Sequence, residues 1–360
     1  MRPLEGLLVV DLSRLYPGPF CTAVLGSLGA HVVKVEPLGG GDATRWMPPV
    51  DEAGNGWAFA AVDRGKESVA VDTRAPEGVE IVRRLARRSD VLVESFRPGV
   101  LARVGLGADA LRAENSRLVG LSLVGYAQDG SRADAAGHDL NYQSVAGTLA
   151  RAPDGAPTMP VAQVADAAGA MYGAVAVLAA LHERASTGRG TWLTVSLADA
   201  AVSFATLAHA RAAFGPLAEL GGDLPAYNVY RCADGGWLAL GTLEPKFWEA
   251  FVAAAGRPEI AEAGYALGDA AAKAQVAALF AERPRAAWLD LCAKAGVPAT
   301  PVLSPAEAAA QAPRVGPAAG LGLAPGDRPP RLGEHTDAWL VALGYDEGER
   351  AAMRSSGVVA

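Results

Sequence analysis

Between residues 7 and 126, short apolar runs rich in Val and Leu recur: LLVVDL (7–12), HVVKVEP (31–37), SVAVDT (68–73), VLVESF (91–96) and LVGLSLVGY (118–126). Each has the length and branched composition of a strand covered on both faces. A helix-compatible segment opened by Pro17, Gly18 and Pro19 separates the first two runs, and GVEIVRRLARR (78–88) shows one apolar face before VLVESF. Strands alternating with helices predict an α/β protein with a parallel sheet.

Beyond residue 160 the period lengthens. DAAGAMYGAVAVLAALHERASTG (166–188) is the longest helical pattern, with Asp166 in the place of an N-cap and Gly188 at its end. WLTVSLAD (192–199) predicts another strand and AAVSFATLAHARAAF (200–214) another helix. The texture changes at GPLAELGGDLPAY (215–227). VYRCADGGWLALGT (229–242) then reads as two strands around an Ala-Asp-Gly-Gly turn, and short alanine-rich helices follow. These features divide the chain into a large α/β domain (1–200), a linking helical region (201–224), a small α+β domain (225–310), and a segment (311–360) that opens with an Ala-, Gly- and Pro-rich return linker.

Composition narrows the functional classes. Half of the 360 residues are hydrophobic (51%), so a large core can form, and the net charge of -7 disfavours nonspecific binding to nucleic acid or an anionic membrane. An anionic ligand then needs a local cluster of cations. Cys21, Cys232 and Cys292 are widely spaced, without a CxxC, so neither a disulfide framework nor a metal site is expected. With no apolar run of bilayer-spanning length read from the sequence, the expected location is the cytoplasm. The turn after the first strand, SRLYPGPF, lacks the GxGxxG that cradles a dinucleotide pyrophosphate, which argues against NAD.

The chemistry-bearing stretch is AGHDLNYQSVAG (136–147), in which His138 follows the flexible Gly137 and precedes Asp139. Such a histidine is either a turn residue or an acid/base group aimed into a cleft. Asp166 is either an ordinary helix cap or a carboxylate at a helix start whose N–H groups can hold an oxyanion. Local sequence leaves both pairs of alternatives open.

Several stretches taken together, LEGLLVVDLSRLYPGPFCTAVLGSLGAHVVKVEPLGGGDATR, DRGKESVAVD, VLVESFRPGVLARVGLG, GYAQDG, VADAAGAMYGAVAVLAALHER, YRCADGGWLALGTLEPKFW and RLGEHTDAWLVALGY, resemble the family III CoA-transferase (CaiB/BaiF) superfamily from residue 4 to about residue 345. The resemblance implies a Rossmann-like large domain formed by both termini, a smaller inserted domain, an interlocked homodimer, and an acyl-CoA thioester as substrate, CoA entering with the substrate and not as a cofactor. Transferases of the superfamily use an aspartate at the position of Asp166 as a nucleophile. Racemases use that aspartate with the histidine of a GHD motif to move the α-proton. GHDLNY and LEPKFW resemble the α-methylacyl-CoA racemase branch, and the glycine-rich loop of many transferases is absent where ALGTLEPKFW stands. The resemblance assigns catalytic roles to His138 and Asp166 and gives Glu244 the task of orienting His138. It offers Lys66, Arg97 and Arg103 to the CoA phosphates and Tyr227 to the acyl pocket, and leaves Asp139 structural. One departure is Ala162, where racemases can carry an asparagine. An interconversion of (R)- and (S)-2-methylacyl-CoA esters through an enolate is therefore expected, with CoA transfer and non-catalytic acyl-CoA binding as its rivals.

Overall fold

The computed structural model describes residues 2–150, 152, 155–215, 219–324 and 326–360. The chain divides into two compact units, Met1–Thr206 with Pro313–Ala360, and Leu207–Ala312. The boundary falls at 206/207, well before residue 225: the 201–224 region is shared between one helix of the large unit and the opening of the small one.

In the large unit the apolar runs form strands β1 (Leu8–Asp11), β2 (His31–Glu36), β3 (Glu67–Ala70), β4 (Val91–Glu94), β5 (Val119–Val124) and β6 (Trp192–Ser196). All pair in parallel, in the order β3-β2-β1-β4-β5-β6. This is the doubly wound order, in which the direction of winding reverses between β1 and β4 and ligands bind outside the carboxyl ends of the strands. Helices α1 (Pro17–Ser27), α2 (Trp57–Val62), α3 (Pro76–Arg88), α4 (Val100–Arg103), α5 (Ala108–Glu114), α6 (Asp139–Ala146), α7 (Val164–Thr187) and α8 (Leu197–Phe204) connect or follow these strands. Both faces of the sheet are covered, which explains why Val9, Val10, Val32, Val33, Leu92 and Val93 are buried without polar alternation.

The small unit opens in α9 (Thr206–Ala212). Its antiparallel sheet has the order β7-β8-β9, from β7 (Tyr227–Arg231), β8 (Trp237–Gly241) and β9 (Ala299–Pro301). Helices α10 (Pro245–Ala255), α11 (Ala270–Phe280), α12 (Arg285–Lys294) and α13 (Pro305–Gln311) complete it, around a core in which Phe251 and Phe280 stack and Trp288 packs against both. The chain then returns to the large unit. Gly65 N–H donates to the Arg328 carbonyl, Gly333 N–H donates to Ser68 Oγ, and α14 (Thr336–Ala342) and α15 (Glu347–Ser355) add Leu340 and Met353 to the core beneath α3.

Helix α7 corrects one expectation from the sequence: at 24 residues it is long and apolar enough to cross a bilayer. Its composition has a second physical use here. Ala170, Ala174 and Val177 pack with Cys21, Val24 and Leu25 of α1 and with Val119, Leu121 and Leu123 of β5. Gly173 permits this close approach, since a Cβ there would stand 2.9 Å from a methyl of Leu121 and 3.4 Å from Cys21 Sγ.

Candidate active site

Asp166 stands in the first turn of α7 but does not cap it. The helix begins at Val164 with Gln163 as its N-cap, so the capping role expected of Asp166 is corrected. The cap comes from another helix: Asp139 Oδ1 accepts the N–H groups of Ala165 (2.9 Å) and Asp166 (3.1 Å), while its Oδ2 accepts from Gln143 Nε2 (2.6 Å). Gln143 Nε2 also reaches the carbonyl of Ala162, 3.2 Å away. Asp139 is thus the fastener between α6 and α7. Because the first-turn N–H groups of Val164 and Ala167 also have backbone acceptors, at Ala162 and Gln163, the start of α7 holds no spare donors for a thioester oxygen.

The spare donors lie one helix away. His138 is the N-cap of α6, with its own N–H donated to Asn141 Oδ1 at 3.0 Å and its side chain exposed. The N–H groups of Asp139 and Leu140 have no acceptor among the described residues. They are oriented donors at the positive end of a helix dipole. Gly137 is required by space and not by flexibility, since a Cβ would come within 2.7 Å of the Tyr142 ring. Tyr142 stands edge-on to Tyr126 at 5.1 Å, and its hydroxyl donates to the Gly137 carbonyl at 2.6 Å. The GHD turn is therefore shaped by packing against an aromatic pair.

The electrostatics distinguish Asp166 from an ordinary first-turn carboxylate. Burial, aided by the negative charge of Asp139, pushes its pKa up to about 7. No cation pairs with it among the described residues. Burial and then the charge of Asp166 likewise push the Tyr142 phenol up to about 12. A half-buried carboxyl that titrates near neutrality can take or give a proton.

Other expected site residues fall elsewhere. Lys66 is not available as a phosphate ligand: it is buried, and Nζ donates to Asp63 Oδ1 (2.7 Å), Thr22 Oγ1 (2.8 Å), Asp11 Oδ2 (3.0 Å) and the Pro19 carbonyl (3.0 Å). Arg97 and Arg103 are exposed, without a hydrogen bond or ion pair from either guanidinium among the described residues. Arg103 ends α4, whose Leu101 lines a cavity of about 350 Å³ outside the carboxyl ends of β1, β2 and β3; Arg14, Pro37, Arg74 and Phe96 also line it. Arg14 lies over the Phe96 ring at 5.0 Å. Arg97 faces an adjoining cavity with Glu94. Sequence reasoning missed Arg14 and Arg74, although cations placed just after parallel strands are the legible sign of such a crevice.

Glu244 and Tyr227 belong to the small unit. Glu244 is the exposed N-cap of α10, ahead of Pro245, and Tyr227 is half-buried against the core of that unit. Among the described residues no group of three or more His, Cys, Asp or Glu side chains is arranged to hold a metal ion.

A family model, CoA-transferase family III, matches residues 4–319. The chain belongs to this family. It is 33% identical over 312 residues to alpha-methylacyl-CoA racemase of Homo sapiens, covering 84% of this chain and 78% of that protein. It is 31% identical over 397 residues to succinyl-CoA:glutarate CoA-transferase of Mus musculus, covering 100% and 91%. The crystal structure of a CAIB/BAIF family protein from Brucella suis superposes with a TM-score of 0.81 at 30% identity, over 95% of this chain and 99% of that one. Its relatives thus include racemases and CoA-transferases at similar identity.

Proposed function

We propose that this chain is a racemase of 2-methylacyl-CoA thioesters, exchanging the α-proton between His138 and Asp166. The observation that carries the reading is the fastening of the α7 start, with its half-buried, cation-free Asp166, to Asp139, the residue beside His138, a setting that pushes the Asp166 pKa up to about 7. Inversion next to a thioester needs one group to remove a proton while another returns one to the opposite face. A carboxyl that titrates near 7 and an exposed imidazole can alternate those roles. The thioester oxygen, which gains charge as the proton leaves, is assigned to the free N–H groups of Asp139 and Leu140. This assignment replaces the start of α7.

Glu244 is assigned the orientation of His138. The reading also includes a homodimer, which light scattering tests directly. Arg97 and Arg103, with Arg14 and Arg74 added, are the cations for the CoA phosphates. The thioester itself acidifies the α-carbon, so the reaction requires no cofactor.

A second reading has support from the likeness to succinyl-CoA:glutarate CoA-transferase: Asp166 acts as nucleophile and passes through an aspartyl anhydride. Proton NMR of a 2-methylacyl-CoA in D2O separates the two. Loss of the α-proton signal without added acid is the expected result. No exchange, with a new thioester formed only when a second carboxylic acid is supplied, overturns the racemase reading in favour of transfer.

A further inference from the structure

Tyr16 stands at the reaction end of the large unit and has no role in the mechanism above. Its neighbour Leu15 has φ 65°, the one non-glycine residue in the left-handed region among the described residues. That conformation is costly for a branched side chain and persists only where the surroundings impose it. Here Leu15 N–H donates to Asp42 Oδ2 at 3.0 Å, and the same oxygen is paired with Lys34 Nζ at 3.1 Å. The direction in which the chain enters α1, and with it the placement of Tyr16, is set by buried charges before any ligand binds.

Helix α1 then runs beside α7, in register at Cys21 and Gly173. Toward the N-termini from that contact, Tyr16 lies back by about 7.5 Å of helix and Asp166 by about 10.5 Å. Both helices lead into parallel strands, so these two residues share one end of the sheet. Tyr16 is half-buried, with its ring edge-on to Phe20 at 5.4 Å. Its hydroxyl makes no hydrogen bond among the described residues, and the Asp166 carboxylate accepts none. Burial, then the charges of Asp166 and Asp139, hold the phenol above its ordinary pKa, so it remains a donor at neutral pH. The hydroxyl of Tyr142, by contrast, is spent on Gly137.

We propose that Tyr16 is a positioning residue for Asp166: its hydroxyl, unpaired among the described residues, turns to donate to one carboxylate oxygen and leaves the other free to face the substrate. The inference rests on the reading of Asp166 as the reacting carboxylate. Among the described residues, the titratable groups on the elements packed against α7 are Tyr16 and Cys21 at and in α1, His138 at the cap of α6, Asp139 and Tyr142 on α6, and Asp199 on α8. Of these, Asp139 is the one whose charge joins burial in raising Asp166. A donor from Tyr16 favours the ionised carboxylate, so its removal raises the protonation midpoint further.

The test compares wild type with Tyr16→Phe, which keeps the ring against Phe20. In the variant the midpoint of the acid limb of kcat is expected to move up by about half a pH unit or more, and kcat near pH 6 to fall several-fold, about 3- to 10-fold, with KM unchanged. A merely structural role moves the melting temperature and leaves that midpoint in place, which overturns the proposal. The pH dependence of carbodiimide labelling at Asp166, read by peptide mass spectrometry, needs no turnover because the protonated carboxyl is the reactive form. A higher labelling midpoint in Tyr16→Phe supports the proposal and an equal one overturns it. Wild type that shows neither α-proton exchange nor CoA transfer sinks the functional reading alone, and labelling then decides Tyr16 independently.

Discussion

Two clusters of buried carboxylates lie in the large unit, and they are built oppositely. Beneath the carboxyl ends of β1 and β2, Asp11, Asp42 and Asp63 surround the buried ammonium groups of Lys34 and Lys66. Glu36 pairs nearby with Arg45, whose Nε and Nη2 donate to its two carboxylate oxygens at 2.7 Å each. Burial alone acts to raise Asp11, but Lys66 and Lys34 bring it well below the carboxylate range. Asp42 is also lowered, against its burial, by Lys34. Asp63 departs from this pattern: burial keeps it raised despite both lysines. At the α6–α7 junction, Asp139 and Asp166 have amides and a glutamine for company and, among the described residues, no lysine or arginine. Buried carboxylates surrounded by cations serve as scaffold; a carboxyl denied a cation has its proton affinity moved to where chemistry can use it.

The sharpest way to break this contrast is to neutralise Asp166. Asp166→Asn is expected to lower kcat by about 10³-fold in exchange or transfer, while circular dichroism remains that of the parent. Retained turnover would return Asp166 to the scaffold. Next comes Lys66→Met, which strands buried carboxylates and is expected to cost about 3–4 kcal/mol of folding stability, read as a lower denaturant midpoint. A simple rise in KM with unchanged stability would restore Lys66 to the phosphate site.

A third prediction concerns the sign of pH dependence. The Asp166 carboxyl titrates near 7 in the folded chain against a reference of 3.8, so the unfolded chain releases that proton first. Stability attached to this group is lost as pH rises from about 4 to 7. Asp166→Asn is therefore expected to be more stable than its parent at pH 8, by about 2 kcal/mol or more, with the difference vanishing near pH 4. Equal stability at both pH values would show that the site leaves this carboxyl unperturbed. Removing only the neighbouring charge is gentler. Asp139→Asn retains an acceptor for α7 and is expected to move the acid limb of activity down by about half a pH unit. The smallest effect is at the surface: Arg103→Ala raises KM for CoA esters by about 3- to 10-fold with little change in kcat, and an unchanged KM removes it from phosphate binding.

The strands of the large unit were legible because apolar runs covered on both faces have few other uses, and the strand-turn-strand pattern around Ala-Asp-Gly-Gly defined the β7–β8 hairpin. His138 and Asp166 stood out through their motifs, and the structure places them on adjoining helix starts. Lys66 was misread because a lysine after a charged turn looks the same in sequence whether it faces solvent or fills a buried charge cage. The cap of α7 was misread for a related reason. Its true cap, Asp139, is 26 residues away from the N–H it holds most closely, and no local pattern records such a bond. Arg14, Arg74 and Tyr16 gain meaning only once the winding order puts their loops at one edge of the sheet.

The Asp139 fastener also has a consequence for how the molecule comes apart. The first amides of α7 would ordinarily fray one by one, but those of Ala165 and Asp166 are tied to a side chain on another helix. Their exchange with solvent deuterium should follow the opening of α6 as a single cooperative event. The histidine and the aspartate then share one opening equilibrium, and a partly melted molecule that keeps one in place while releasing the other is disfavoured.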